Sequence, residues 1–226
     1  MLEKSIWGRN LSSLEMQKVL AEAREREFSA GQAIVRVGES AEHWVGLISG
    51  LAKMSVSSAD GRETTLISTA AGGWFGEGTL IKRGRWQYDA IAMRDSQVAL
   101  LPRDTFEWLR NTSIPFNHYL QNLMSARMGS FIALLSQDRL LDSSARVARC
   151  LAGLFNPELY PEPGRYLDLR QSELGQLAGV SRQRANIALQ ALEAAGLITV
   201  ERRGISVLDL QGLRDYRGLT AQPPAR

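Results

Sequence analysis

Gln171-Ser172-Glu173-Leu174-Gly175-Gln176-Leu177-Ala178-Gly179-Val180-Ser181-Arg182-Gln183-Arg184-Ala185-Asn186-Ile187-Ala188-Leu189-Gln190-Ala191-Leu192-Glu193 reads as a helix, a tight turn and a second helix. Leu174, Leu177 and Ala178 recur at helical spacing and share one face of the first helix. Gly179 accepts the left-handed conformation that ends a helix. Val180 fills the corner, and Ser181 is an N-cap for the second helix. Ala185, Ala188, Leu189 and Leu192 form the buried stripe of that helix. Arg182, Gln183, Arg184 and Asn186 are left at its exposed N-terminal end, with Ser181 at the cap. Those are the side chains a helix needs if its first turns enter the major groove of DNA. Arg can bond both guanine acceptors, and Asn or Gln can bond adenine bidentately. The spacing puts Arg182 and Asn186 on one face with Gln183 beside them, and Arg184 toward the flank, where a phosphate is the expected partner.

Working outward, Gly196-Leu197-Ile198-Thr199-Val200-Glu201-Arg202-Arg203-Gly204-Ile205-Ser206-Val207 reads as two short strands around Arg-Arg-Gly. A β wing directly after a helix-turn-helix would carry Arg202 and Arg203 to phosphates; a solvated turn is the plainer alternative. Upstream, Asp142-Ser143-Ser144 offers a helix N-cap and a hinge. Asn156 to Gly164 is an irregular loop containing Pro157, Pro161 and Pro163. The tail Gln222–Arg226 is expected to be disordered. Residues 142–226 thus form a winged helix-turn-helix domain.

Before it lies the longest periodic segment, residues 115–141. Leu120, Leu123, Met124, Met128, Phe131, Leu134 and Leu135 fall three and four apart. Such a helix is about 39 Å long at 1.5 Å per residue, too long for one small domain to cover. A partner helix is the simplest cover, so a homodimer is expected; packing on its own domain alone is the alternative.

The first half, residues 1–114, has a different grain. Residues 12–27 are expected to form a short amphipathic helix around Leu14, Val19, Leu20 and Ala23. From Phe28, short β-branched and apolar runs alternate with glycines: Ala33–Val37, Trp44–Ile48, Ala52–Val56, Thr64–Ser68, Tyr88–Met93 and Gln97–Leu101. Ala59-Asp60-Gly61-Arg62 reads as a type I′ hairpin turn. Many short strands argue for a closed jelly-roll over residues 28–102, and Pro102 opens a helical piece from Arg103 to Arg110. The expected fold class is α+β: an N-terminal double-stranded β-helix, a long dimerisation helix and a C-terminal winged helix-turn-helix.

Composition narrows the function. With 44% apolar and 23% charged residues among 226, the chain is ordinary for a globular protein, and no apolar run is long enough to span a membrane. The first residues, with Glu3 early and no apolar core, do not read as a signal peptide; a cytoplasmic location without membrane contact is expected. The single Cys150 makes no internal disulfide or metal knuckle and is expected to be a buried small side chain. Lysines occur only at 4, 18, 53 and 82. The remaining cations are Arg, which suits phosphate and guanine, although a GC-rich genome gives the same bias. A cupin-like enzyme on a jelly-roll would need a tight set of His ligands and a carboxylate. His43 and His118 lie in different elements, so no catalytic or metal site is expected.

With these pieces in order, the chain resembles the Crp/Fnr family of bacterial regulators over about residues 15–210. Gly72-Gly73-Trp74-Phe75-Gly76-Glu77 is similar to the family's phosphate-binding cassette, and Asp142–Ala148 to its hinge. The resemblance implies a β-roll sensor, a dimerising helix, a swinging DNA-binding domain, double-stranded DNA and RNA polymerase as partners, and an effector pocket formed by Gly76, Glu77, Gly78, Thr79, Tyr88, Asp89, Phe131 and Ile132. The sequence departs from the family there. Nucleotide-binding members follow Gly-Glu with Arg-Ser/Thr-Ala, in which the Arg pairs with the cyclic phosphate. Here the triplet is Tyr88-Asp89-Ala90: the cation is missing and a carboxylate replaces a hydroxyl. Phe131 and Ile132 offer no hydrogen bond to a purine edge. Cyclic AMP is therefore not the expected effector. An unknown small molecule or none is expected, and no cofactor. One cysteine excludes the family's iron–sulfur cluster; haem would need His43 or His118. The family's second recognition-helix Arg aligns with Ile187, so base preference is not transferable.

Overall fold

The computed structural model describes residues 2–218, except 59, 62, 162 and 163 and the side chains of 137–140. The expected tail 222–226 lies outside the described residues. The chain forms two compact units, Met1–Gly129 with Pro157–Glu162, and Ser130–Asn156 with Pro163–Arg226.

In the first unit, two 3-10 turns, Leu2–Lys4 and Gly8–Asn10, lead into helix α1, Ser13–Glu22. Ser12 and Glu15 close a capping box: the Ser12 N–H donates to Glu15 Oε2 at 2.6 Å, and the Glu15 N–H donates to Ser12 Oγ at 3.3 Å. The helix ends earlier than the sequence suggests. Arg24–Phe28 is strand β1, paired antiparallel with Ser96–Pro102 from Arg24↔Leu100 to Phe28↔Ser96. Arg and Glu favour helix, but an open sheet edge supplies the backbone partners, and four charged side chains stay exposed while Phe28 is buried.

The other expected strands form as β2 Ala33–Val35, β3 His43–Ser49, β4 Leu51–Ser57, β5 Glu63–Ala70, β7 Asp89–Ala92 and β8 Ser96–Pro102. Trp74–Phe75 adds the short β6, and Glu77–Ile81 is helix α2. Two four-stranded antiparallel sheets result, ordered β1-β8-β3-β6 and β2-β7-β4-β5, the jelly-roll expected. The β4–β5 hairpin pairs down to Ser57↔Glu63; Gly61 at its tip has φ +81°, while Ala59 and Arg62, half of the proposed turn, lie outside the described residues.

Trp7, Trp44 and Trp74 pack at the centre with ring centroids 4.4–5.2 Å apart, edged by Phe106 and Phe116. Trp7 is fully buried, so the N-terminal turns are part of this core. Truncating one such ring costs about 3–5 kcal/mol.

Helix α3, Arg103–Thr112, comes next, then α4, Ile114–Leu140, within a residue of the expected long helix. Its apolar positions divide. Phe116, Tyr119, Leu120 and Leu123 are buried, whereas Met124, Met128, Ile132 and Leu135 form an exposed stripe, Met128 at 61% and Leu135 at 64%.

The second unit contains α5 Ser143–Gly153, capped by Asp142 as expected, with Oδ1 accepting the Ala145 N–H at 2.8 Å. It continues with β9 Tyr166–Leu167, α6 Gln171–Leu177, α7 Arg182–Ala194, β10 Ile198–Val200, β11 Ile205–Val207 and α8 Leu210–Asp215. Val147, Leu151, Leu174, Ala185, Leu189 and Leu192 are buried in the core under α5, α6 and α7. Cys150 is half-buried on α5 where a buried side chain was expected, and the burial of its thiol pushes the pKa up to about 12. Between α5 and β9 the chain returns to the first unit. There Leu159 and Tyr160 are buried, and the Tyr160 hydroxyl donates to the Ser68 carbonyl on β5 at 2.9 Å and lies 2.9 Å from Ser68 Oγ.

Candidate functional site

The helix-turn-helix forms where the sequence places it. Ser181 caps α7 by accepting the Arg184 N–H. Gly179 sits at φ +62°, a conformation L side chains avoid. The Arg170 N–H donates to the buried Glu173 carboxylate at 2.7 Å, fixing the start of α6.

Ala185, Ala188, Leu189 and Leu192 are buried and define the inner face of α7. Ser181, Arg182, Gln183, Arg184 and Asn186 are all exposed. Counting about 100° per residue, the direction opposite the buried stripe falls on Gln183, Ile187 and Gln190. Arg182 and Arg184 lie roughly 90–110° to either side of it. Arg182 and Asn186 lie about 40° apart on one side of that direction with Gln183 next to them, because the helix is turned by where its alanines and leucines pack.

The wing is β10 and β11, paired Ile198↔Val207 to Val200↔Ile205, with Arg202 and Arg203 exposed between them. The sequence reading missed a third strand. β9 pairs with β11 through Ile205↔Leu167 and Ser206↔Tyr166, too short a run to announce itself. Among the described residues the guanidiniums of Arg182, Arg184, Arg202 and Arg203 make no ion pair.

The β-roll site differs from expectation. Gly76 has φ +100°, and a Cβ there would meet the Trp86 ring at 2.4 Å, so glycine is required. It lets β6 turn into α2, whose first residue, Glu77, is 3% exposed. Gly78 and Thr79 come next, half-buried. The site is not without a cation. Arg127 of α4 donates from Nε to Glu77 Oε1 at 2.9 Å and from Nη2 to the Trp74 carbonyl at 2.8 Å. Sequence reasoning missed Arg127 because it looked for a cation in the 88–90 triplet; its place between the apolar residues 123 and 128 was the available signal. Glu77 Oε2 is buried with no hydrogen-bond partner among the described residues.

Tyr88 stands edge-on to Trp86 at 5.6 Å. Burial raises the Tyr88 and Tyr119 hydroxyls well above the usual phenol value, and the Glu77 charge adds to the shift. Asp89 does not face this group: its Oδ1 accepts the Val37 N–H at 2.9 Å. Arg85 is likewise engaged elsewhere, donating to the Gly38 carbonyl at 2.8 Å. Phe131, half-buried, and Ile132, exposed at 59%, fall in the second unit, whereas the other expected pocket residues belong to the first.

His43 begins β3, half-buried, and burial lowers its pKa; His118 is exposed on α4. No cluster of three metal-ligating side chains occurs among the described residues, and no described helix is long and apolar enough to cross a membrane.

Two family profiles match the chain. That of the cyclic nucleotide-binding domain covers residues 25–113, and that of the Crp-like helix-turn-helix domain covers 145–216. The cAMP-activated global transcriptional regulator Vfr of Pseudomonas aeruginosa is 27% identical over 198 residues, 85% of this chain and 92% of Vfr. The cAMP-activated regulator CRP of Pasteurella multocida is 26% identical over 191 residues, 83% of this chain and 91% of that protein. The structure of FixK2 from Bradyrhizobium japonicum shares the fold, with a TM-score of 0.73 at 18% identity over 88% of this chain and 99% of that one. With the cyclic nucleotide-binding and Crp-like helix-turn-helix profiles both matched along the chain, and transcriptional regulators aligned over more than four-fifths of it, the chain belongs to the Crp/Fnr family of DNA-binding transcriptional regulators.

Proposed function

We propose that this regulator binds a pseudo-palindromic operator as a homodimer formed along α4, and that its β-roll does not respond to cyclic AMP. The observation that carries the DNA reading is the exposed array of Arg182, Gln183, Arg184 and Asn186 on α7, with Arg202 and Arg203 at the wing, all without ion-pair partners among the described residues. The wing cations suit phosphates, and α7 suits base edges. The Met124–Met128–Ile132–Leu135 stripe supplies the dimer seam, and RNA polymerase is the further partner expected of such a regulator in the cytoplasm. The effector is a neutral small molecule or none, held if present near Glu77 and Tyr88.

The cyclic AMP exclusion rests on Asp89 and Arg85 being engaged at the Val37–Gly38 loop, and on Arg127 being committed to Glu77. A second reading has its own support. Vfr and CRP are named as cAMP-activated, and Arg127 is a cation that a cyclic phosphate could draw away from Glu77.

Calorimetry separates the two. No saturable heat is expected with cyclic AMP or cyclic GMP; micromolar binding that Arg127→Ala abolishes would establish the second reading. Sedimentation should show a dimer at micromolar concentration, and Met128→Asp with Leu135→Asp should yield a monomer whose operator affinity falls by about 100-fold or more, as loss of one of two linked half-site contacts requires. A wild-type monomer would overturn the proposal.

A further inference from the structure

The outward centre of α7 is held by an apolar side chain. Ile187 is 47% exposed, directly opposite the Ala185–Ala188–Leu189–Leu192 stripe, with Gln183 one turn before it and Gln190 nearly one turn after. Leaving a branched aliphatic side chain half in water forfeits transfer free energy, and among the described residues none covers its exposed half. Arg182 and Arg184 stand on the two flanks, and Arg184 is placed to reach the phosphates that line a groove. What Ile187 meets is then the floor of the groove. Guanine and adenine present hydrogen-bonding groups there, and cytosine adds to its amino group only a small C5–H. The one apolar group in the major groove is the thymine 5-methyl.

We infer that Ile187 is a specificity-determining residue that selects thymine in each half-site through its 5-methyl group. Gln183 and Gln190, on the same face, are suited to neighbouring bases by hydrogen bonding, so Ile187 is the apolar contact of a mixed reading surface. The inference rests on the DNA-binding reading of α7 given above.

The test begins by selecting the preferred operator of the wild-type chain from random duplexes. Each thymine of the half-site is then replaced singly by deoxyuridine, which deletes the methyl and leaves the Watson–Crick edge intact. At one position the wild type should lose about fourfold in affinity, the equivalent of one buried methyl, while Ile187→Ala should bind the thymine and deoxyuridine duplexes equally. Ile187→Val should keep part of the preference. At the same position, 5-methylcytosine should bind the wild type more tightly than cytosine. Ile187 is exposed and Ala is a good helix former, so the variant is expected to fold; its binding to unrelated DNA serves as the control.

If the wild type selects no operator, the DNA-binding reading falls and this inference with it. If it selects one and the deoxyuridine series is flat, or if Ile187→Ala keeps the same methyl preference, the inference alone is overturned.

Discussion

Arginines in the two units stand in opposite circumstances. Arg127 is nearly enclosed, with 13% of its side chain exposed, and is spent on Glu77 and the Trp74 carbonyl. Arg182, Arg184, Arg202 and Arg203 are exposed and, among the described residues, make no ion pair. A buried guanidinium must be paired where it stands, because desolvation without a partner is costly. An exposed one keeps its hydration and remains free to trade it for a phosphate, releasing counterions as it does so. The first arrangement closes a site within the protein; the second leaves one open to a polyanion.

The contrast breaks most visibly at the buried pair. Arg127→Met leaves Glu77 charged and enclosed, and should destabilise the β-roll by about 3–5 kcal/mol in urea unfolding, the range seen when one member of a buried pair is removed. The double variant Glu77→Gln with Arg127→Met should recover most of the loss. If the single and double variants unfold alike, the pair is not isolated from solvent as described.

At the open site the effect is smaller and of another kind. Arg202→Ala or Arg203→Ala should leave urea stability within about 0.5 kcal/mol. Each should weaken binding to all duplexes together and lower the slope of log affinity against log salt by about one. A change confined to one base position would show that the wing reads sequence.

The smallest effect sharpens the account of the enclosed site. The Tyr88 and Tyr119 hydroxyls have pKa values raised by burial and by Glu77, so folding favours their neutral form. That contribution is complete below the unfolded phenol value of about 10 and is lost as pH rises above it, since the unfolded chain sheds the protons first. Tyr88→Phe should therefore flatten the fall in stability above about pH 10. The comparison belongs in a Cys150→Ala background, because that thiol is also raised and loses its contribution over the same alkaline range. An unchanged alkaline slope would place Tyr88 in solvent.

Much of this is legible from local chemistry. The turn at Gly179 and Ser181, the cap at Asp142 and the strand–glycine alternation of the β-roll are written in neighbouring residues, and the elements appear where those residues put them. What is not legible depends on distant partners. Arg24–Glu27 has helical composition, and only the edge of β8 makes it a strand. Arg127 lies 50 residues from Glu77, and no spacing rule links a helix surface to a turn so remote. Trp7 sits in an N-terminus with no pattern to mark it, yet it meets Trp44 and Trp74 in the core.

The return of Tyr160 to the first unit has a consequence during synthesis. Pro157–Glu162 belongs with Met1–Gly129, whereas the residues between and after do not, so the nascent chain passes between the two units three times. A ribosome extends the chain by about 5–20 residues per second. The β-roll therefore waits roughly 2–7 seconds at those rates after Gly129 has been added before its last segment is made. In that interval Ser68 has no Tyr160 hydroxyl to meet, and the surface that Leu159 will cover stands open. A pause in translation just after Asn156 would lengthen that exposure, making this stretch of the message a place where synthesis rate and the yield of folded regulator are coupled.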